Sequence, residues 1–294
     1  MGVEQLGEMS RTAILFPGQG SQSDGMRELV AEYEPELLEL VTDELADDPF
    51  ERAGESTAAA QPAIFCASLA LWARAGRPDA DFFAGHSLGE LTALVAAGAI
   101  GREDGLRLAI GRGALMEDAG RAAPGGMAAL IGDEETAREL AYECDLVIAN
   151  YNNPGQLVAS GGLDGIEVAR AAAKERRLRA IALPVAAAFH SPAMLAAVQP
   201  FRDLLEDTPV GEPRTAVLSC STVSEHGEAE QIRDDLADAL VRPVRWRQAI
   251  EELHRRGVRG FRETGPGKAL IGMVKRTVDG VELSTLPDEA AVHV

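Results

Sequence analysis

The chain lacks any uncharged apolar run approaching the roughly 18 residues that span a bilayer, although apolar residues make up 46% of it. It also lacks the basic, then greasy, beginning of a secretory signal, since Glu4 and Glu8 stand there instead. Together these absences predict a cytoplasmic chain. Cysteine is scarce and odd in number. Cys66, Cys144 and Cys220 are widely separated and sit in apolar settings such as Ile64-Phe65-Cys66-Ala67, which predicts buried thiols and offers neither a disulfide framework nor a metal-ligand spacing. Positive charge is short as well: 28 Lys and Arg face 47 Asp and Glu, a formal net charge of −19. A surface that repels phosphate gains nothing from counterion release, so nucleic acid and anionic membrane are excluded as general partners.

Phosphate-binding motifs are missing too. Phe16-Pro17-Gly18-Gln19-Gly20-Ser21-Gln22 has no third glycine of a dinucleotide fingerprint and no Gly-Lys-Ser/Thr ending. What remains for this segment is either a pocket wall at a strand end, with Gln19 supplying donors, or a surface turn. No repeat, low-complexity tract or long linker divides the 294 residues, so the order of elements must reveal the domains.

That order is most legible between residues 124 and 186. Gly126 to Ile131 is an apolar run, and Asp133 is placed to cap a helix that continues to Tyr142. Two short strands follow, Leu146 to Ala149 and Gln156 to Ser160, joined by the turn signal Asn152-Asn153-Pro154-Gly155. A second helix is expected from Gly165 to Arg176 and a last strand from Arg179 to Leu183. The sequence β-α-β-β-α-β is a small ferredoxin-like α+β unit. Around it, residues 1–123 and 187–294 alternate strands (Ala13 to Phe16, Asp81 to Ala84, Thr215 to Ser219, Val258 to Arg262) with longer helical stretches. The expected fold is therefore a large α/β-hydrolase-like subdomain with a mostly parallel sheet, carrying the small one as an insert.

The sharpest chemical signal is Gly85-His86-Ser87-Leu88-Gly89, between a strand and the apolar helix Leu91 to Ala97. It has the form of a nucleophile elbow, in which flanking glycines permit a turn that lifts Ser87 Oγ to the sheet's end, with the Leu88 N–H as an oxyanion donor; a tight structural turn is the plainer reading. Such a serine needs a base, and there are five histidines. His254 lies on a polar helix, His226 in a Ser-Glu-His-Gly loop and His293 in the tail, while His86 points away from Ser87 and reads as a packing residue. His190 follows Leu183 to Phe189 and precedes Ser191-Pro192, where a strand ends and a helix begins, the place where open α/β sheets put their sites. It is the candidate base. Arg112 stands alone in the apolar helical stretch Ala109 to Met116. It either reaches solvent, pairs with a buried carboxylate, or clamps a carboxylate on a ligand.

Together these motifs resemble the malonyl-CoA:acyl carrier protein transacylase family and the related acyltransferase domains of polyketide synthases. The resemblance runs nearly end to end: Phe16 to Gln22, Gln61-Pro62-Ala63, Gly85 to Glu90, Arg112-Gly113, Asn150-x-Asn152-x-Pro154-Gly155-Gln156, Phe189-His190-Ser191-Pro192, Pro243-Val244-Arg245-Trp246 and Gly265-Pro266-Gly267-Lys268. It implies the same two-subdomain fold. It further implies Ser87 as the acylated nucleophile, His190 as base and later acid, Gln19 and Leu88 as backbone oxyanion donors, Gln61 as a pocket residue, and Arg112 as the clamp on a malonyl carboxylate with Met116 lining the pocket one turn on. In the family a main-chain carbonyl orients the histidine, usually from a Gln or Asn; here that position is Ala239, which keeps the carbonyl and loses the amide. Phe189 and Leu88 are similar to the malonyl-selective members, whereas Ala187 stands where a histidine is frequent.

The activity so implied is ping-pong transfer of malonyl from malonyl-CoA to the phosphopantetheine thiol of an acyl carrier protein, acting in trans and without metal or other cofactor, for fatty acid or polyketide biosynthesis. The rivals are an acyl hydrolase or carrier-to-carrier acyltransferase on the same scaffold, and a non-catalytic carrier-binding relative, which would be expected to have lost Ser87 or His190. Because carrier proteins are typically acidic, docking calls for a local basic patch. Lys174, Arg176, Arg177 and Arg179 form one cluster and Arg242, Arg245, Arg247, Arg255, Arg256, Arg259 and Arg262 another, each either a docking face or a solvated helix face.

Overall fold

Short apolar segments bounded by turns assemble into two sheets. The computed structural model describes residues 10–185, 187–287 and 292–293, so Glu4, Glu8 and the insert boundary at residue 186 lie outside the described residues. The strands are β1 (Arg11–Phe16), β2 (Phe82–Gly85), β3 (Gly126–Ile131), β4 (Val147–Asn153), β5 (Gln156–Gly161), β6 (Arg179–Ala182), β7 (Ala216–Leu218), β8 (Val258–Glu263), β9 (Glu282–Thr285) and β10 (Val292–His293). The larger sheet has the order β10-β9-β8-β1-β2-β7. It is parallel from β9 to β7, with β10 antiparallel at its edge. Its central strand is buried on both faces, Ala13 through Phe16 being fully enclosed, which is why β1 reads as a continuous apolar run rather than an alternation. Sequence patterning located β1, β2, β7 and β8 but not β9, a four-residue strand in which two buried residues, Leu283 and Ser284, are flanked by the more exposed Glu282 and Thr285, too short for an apolar run.

The smaller sheet is antiparallel with the order β4-β5-β3-β6, the ferredoxin-like arrangement expected. Asp133 caps the helix Glu134–Glu143 by accepting the Thr136 N–H at 2.9 Å. Two details differ from the sequence expectation. The second helix starts earlier, at Leu163, and ends at Ala173, its last turn tightening into a 3₁₀ turn at Lys174–Arg176 before the left-handed Arg177. The hairpin is also tighter: Asn152 and Asn153 belong to β4, and Pro154-Gly155 alone makes the connection, with Gly155 at φ 77°. A two-residue loop fixes the register so that Asn152 and Asn153 are buried instead of solvated.

The chain leaves the parallel-sheet body at Pro124 and returns at Ala187, and these two residues form an antiparallel bridge. One face of the small sheet packs with its two helices around Leu130, Leu140, Leu157 and Ile166. Its other face, with Met127, Ala129 and Val158, joins the same apolar cluster as Phe16, Phe83 and Leu94. A second tie is backbone: Tyr151 N–H donates to the Val244 carbonyl and Val244 N–H to the Ala149 carbonyl, both at 2.8 Å. The Pro243-Val244-Arg245-Trp246 segment thus clamps β4 to the body. Among the described residues no helix is long and apolar enough to cross a membrane.

The crossing of β2, the helix Leu88–Ala96 and the loop after β1 is too close for side chains. A Cβ on Gly89 would overlap the Phe16 carbonyl, and one on Gly85 would overlap the Gly89 backbone. Gly89→Ala should therefore lower the unfolding free energy by about 2 kcal/mol or more in urea titration. Gly54→Ala, where a Cβ meets nothing within 4 Å, should stay within about 0.5 kcal/mol of the parent.

Candidate active site

Ser87 occupies the N-cap position of the helix Leu88–Ala96 with φ 54° and ψ −108°, backbone that a non-glycine residue adopts only under tertiary constraint. The constraint is visible. His86 N–H donates to the Phe16 carbonyl at 3.0 Å, and Gly18 lies so close that a Cβ there would press on the His86 carbonyl and approach the Leu88 nitrogen. The loop carrying Gln19 is thereby laid along the elbow, and Gln19 and Leu88 line one pocket. A helix N-terminus leaves its first N–H groups without intrahelical partners, so Leu88 presents a donor where negative charge develops on a carbonyl attacked by Ser87.

His190, buried and also at positive φ (53°), places Nε2 at 2.8 Å from Ser87 Oγ. Its Nδ1 faces two main-chain carbonyls, Ala239 at 2.8 Å and Arg242 at 3.1 Å. Carbonyls only accept, so Nδ1 carries the hydrogen and Nε2 is the acceptor for the Ser87 hydroxyl. The Ala239 carbonyl stands where the sequence expected it, and Arg242, whose backbone contribution no side-chain pattern reveals, supplies the second. Burial first, and the Arg112 charge second, push His190 down to about 4, with the two carbonyls opposing. At neutral pH it is an uncharged base.

Arg112 is 4% exposed. One nitrogen donates to Gln61 Oε1 at 2.8 Å and another to Ser87 Oγ at 3.1 Å, while Gln61 Nε2 reaches Met116 Sδ at 3.3 Å. Among the described residues no carboxylate lies within ion-pair distance of it. Burial lowers Arg112 to about 10, opposed by the negative charge of Glu90, so it stays charged at neutral pH. A guanidinium desolvated without a protein carboxylate is expensive, and Arg112 lines a cavity that can admit an anionic group of a ligand. That cavity measures about 510 Å³, and Gln61, Arg112, Met116, Met127, Val158, Val185, Phe189, Leu270 and Met273 are among the residues that line it. Phe189 is 6% exposed and accepts the Ser160 hydroxyl on its carbonyl at 2.8 Å, which holds a phenyl ring rigidly beside the dyad.

His86 packs on Trp246, centroids 5.6 Å apart, as its packing role requires, but its Nε2 also lies 3.0 Å from Asn152 Oδ1 on β4. It joins the elbow to the small subdomain inside the cavity wall. Asn152 was visible in the sequence only as part of a turn signal. The docking clusters also resolve: Arg242 pairs with Asp238, Arg247 with Glu134, Arg255 and Arg256 with Glu252, and Arg176 with Glu143. Most of the C-terminal cluster is thus neutralised locally, by acidic side chains one helical turn away for Arg242, Arg255 and Arg256 and across elements for Arg247. Lys174, Arg177 and Arg179 are exposed and make no ion pair with a described residue.

The acyl transferase domain family matches the chain over residues 14–288. The chain is 38% identical to a malonyl CoA-acyl carrier protein transacylase of Bacillus subtilis, covering 97% of this chain and 96% of that protein. Among solved structures, an acyl-carrier-protein S-malonyltransferase of Burkholderia pseudomallei is similar with a TM-score of 0.87 at 36% identity, over 95% of this chain and 96% of the other. A malonyl-transacylase in complex with a type II PKS acyl-carrier protein gives a TM-score of 0.88 at 33% identity, with the same coverage.

The dyad geometry sets a pH dependence. His190 is active as the neutral form, so its base function is present above its depressed value and is lost as pH falls through about 4. The rate of Ser87 modification by a small serine-directed sulfonyl fluoride should accordingly be flat through the neutral range and fall only on strong acidification. A midpoint at the ordinary imidazole value of 6.5 would contradict it.

Proposed function

Because the chain belongs to the acyl transferase family that includes the malonyl CoA-acyl carrier protein transacylases, we propose that it moves a malonyl group from malonyl-CoA to the phosphopantetheine thiol of an acyl carrier protein, in the cytoplasm, for fatty acid or polyketide biosynthesis. The observation that carries this reading is the buried Arg112, whose side chain touches the nucleophile, lines the cavity and has no carboxylate within ion-pair distance among the described residues.

The free carboxylate of malonyl-CoA binds Arg112 bidentately, with Gln61 holding the guanidinium plane. This places the thioester carbonyl against Ser87 Oγ, which attacks as its proton passes to His190 Nε2. The imidazolium so formed is held by the Ala239 and Arg242 carbonyls, and the tetrahedral oxyanion by the N–H groups of Gln19 and Leu88. Collapse breaks the C–S bond, and the coenzyme A thiolate takes the proton from His190. In the second half the pantetheine thiol gives its proton to His190 and attacks the Ser87 ester, and Ser87 leaves with that proton. Exchange of one thioester for another involves no net oxidation and a good leaving group at each step, so the scheme calls for no resident cofactor. An acyl hydrolase would have little use for a carboxylate clamp.

For the carrier protein, Lys174, Arg177 and Arg179 supply a cluster of exposed basic side chains that make no ion pair with a described residue. The strand that starts at Arg179 runs into Leu183 and Val185 on the cavity wall, so an acidic partner seated there has its prosthetic arm near the opening.

Incubation with malonyl-CoA should add one malonyl mass to the protein, and Ser87→Ala should add none; equal labelling of the alanine variant would remove Ser87 from the mechanism. Arg112→Ala should reduce malonyl loading roughly 10- to 100-fold, the worth of a charge-assisted hydrogen-bonded pair, and leave acetyl loading far less affected. Arg177→Glu with Arg179→Glu should raise KM for the carrier protein severalfold, more at low salt, with malonyl loading from coenzyme A unchanged in steady-state assays.

A further inference from the structure

Behind the dyad lies a cluster of buried ionisable groups that the transfer mechanism does not use. Glu90, 1% exposed, sits in the first turn of the helix that begins at the nucleophile. Its Oε2 accepts the Cys220 N–H at 2.9 Å, and its Oε1 lies 2.8 Å from His226 Nε2. The His226 side chain is fully enclosed, and its Nδ1 packs 3.7 Å from Oδ2 of Asp235, itself 8% exposed, a contact beyond hydrogen-bond distance in which neither atom has another hydrogen-bond partner among the described residues. Burial raises the Glu90 carboxyl, but the hydrogen bond and charge of His226, with the Cys220 N–H, outweigh burial and leave it below its ordinary value. An ionised Glu90 only accepts, so His226 Nε2 donates to it.

The cluster touches both halves of the dyad through the backbone. Asp235 is one turn before Ala239 on the helix Ala229–Asp238: the Ala239 N–H donates to the Asp235 carbonyl at 2.9 Å, and the Ala239 carbonyl faces His190 Nδ1. Through its other neighbour, the Cys220 carbonyl accepts the Arg245 N–H at 2.6 Å, next to the loop whose Arg242 carbonyl also faces His190. We infer that His226 is a positioning residue: by donating to Glu90 on the nucleophile's helix while packing against Asp235 on the helix that ends at the base-orienting carbonyl, it holds Ser87 and His190 in hydrogen-bonding register.

This inference rests on the proposed role of the dyad, and its test uses a reaction that needs neither malonyl nor carrier protein. Ser87 modification by a sulfonyl fluoride reads the dyad alone, so a wild-type protein that refuses malonyl-CoA but reacts with the reagent overturns the substrate reading and leaves this one standing. His226→Asn removes the donor to Glu90 while keeping an amide toward Asp235; His226→Gln keeps a donor at the Nε2 position. With both variants folded by circular dichroism, His226→Asn should slow Ser87 modification roughly 10- to 100-fold, as expected for a dyad displaced by a fraction of an ångström. The same loss should appear in kcat for malonyl loading with KM for malonyl-CoA within about twofold of the parent, because Arg112 and Gln61 are untouched. His226→Gln should recover most of the rate. Wild-type reactivity in His226→Asn, equal damage in both variants, or a loss confined to KM would each overturn the assignment. If His226→Asn does not fold, Glu90→Gln keeps the shape and the Cys220 hydrogen bond while removing the charge that His226 faces, and it carries the same expectation, with wild-type reactivity again the overturning result.

Discussion

Burying the Arg112 guanidinium with Gln61 Oε1 and Ser87 Oγ as partners and no carboxylate within ion-pair distance among the described residues costs free energy, and much of the site is arranged around that charge. The long helix Arg102–Ala122 carries Arg112 and Met116 on its inner face, and the helix Thr57–Arg74 supplies Gln61 to hold the guanidinium plane. The same charge helps keep His190 neutral and so available as a base. In the proposed reaction binding chemistry and acid–base chemistry are therefore coupled through one side chain: the charge proposed to hold a carboxylate on the substrate also helps burial keep the His190 imidazole unprotonated.

Strain is concentrated where the chemistry is. Ser87 and His190 are both non-glycine residues at positive φ, each stationed where a strand or strand-like segment turns into a helix. Neither conformation is favourable in isolation, and each is over-determined by its surroundings: Ser87 by the glycine-tight contact of the elbow with the loop after β1, and His190 by two carbonyls and the Ser160–Phe189 hydrogen bond. The inserted small sheet contributes to this enclosure. It closes the cavity with Met127 and Val158, anchors His86 through Asn152, and is itself held by Val244.

Much of the site was legible in the residues. Glycines at 85 and 89 around Ser87 announce a crossing too tight for a Cβ, and an arginine in an apolar helix announces a buried charge in want of a partner. The β-α-β-β-α-β order of the insert could be read because its periodicities are clean and its turns carry Asp, Asn, Pro and Gly. Other features were not readable, for particular reasons. The Arg242 carbonyl acts through backbone that every residue possesses. His226 looked like a loop histidine because its partners, Glu90 and Asp235, are 136 and 9 residues away, and only folding makes them neighbours. The arginine-rich C-terminal quarter looked like a docking face because charge was counted along the chain, whereas ion pairs form across helical turns and between elements.

By itself the sequence determined the fold class and the elbow and singled out Ser87, His190 and Arg112 as the candidate nucleophile, base and clamp, since these follow from local patterning and from residue types whose burial or strain has few explanations. Tertiary structure decided which nitrogen of His190 bears the proton, that Arg112 has no carboxylate within ion-pair distance among the described residues, which basic side chains pair with acids and what stands behind the dyad. Those properties are distances between groups remote in the chain, and distances of a few ångströms decide whether a charge finds a counter-charge within the protein.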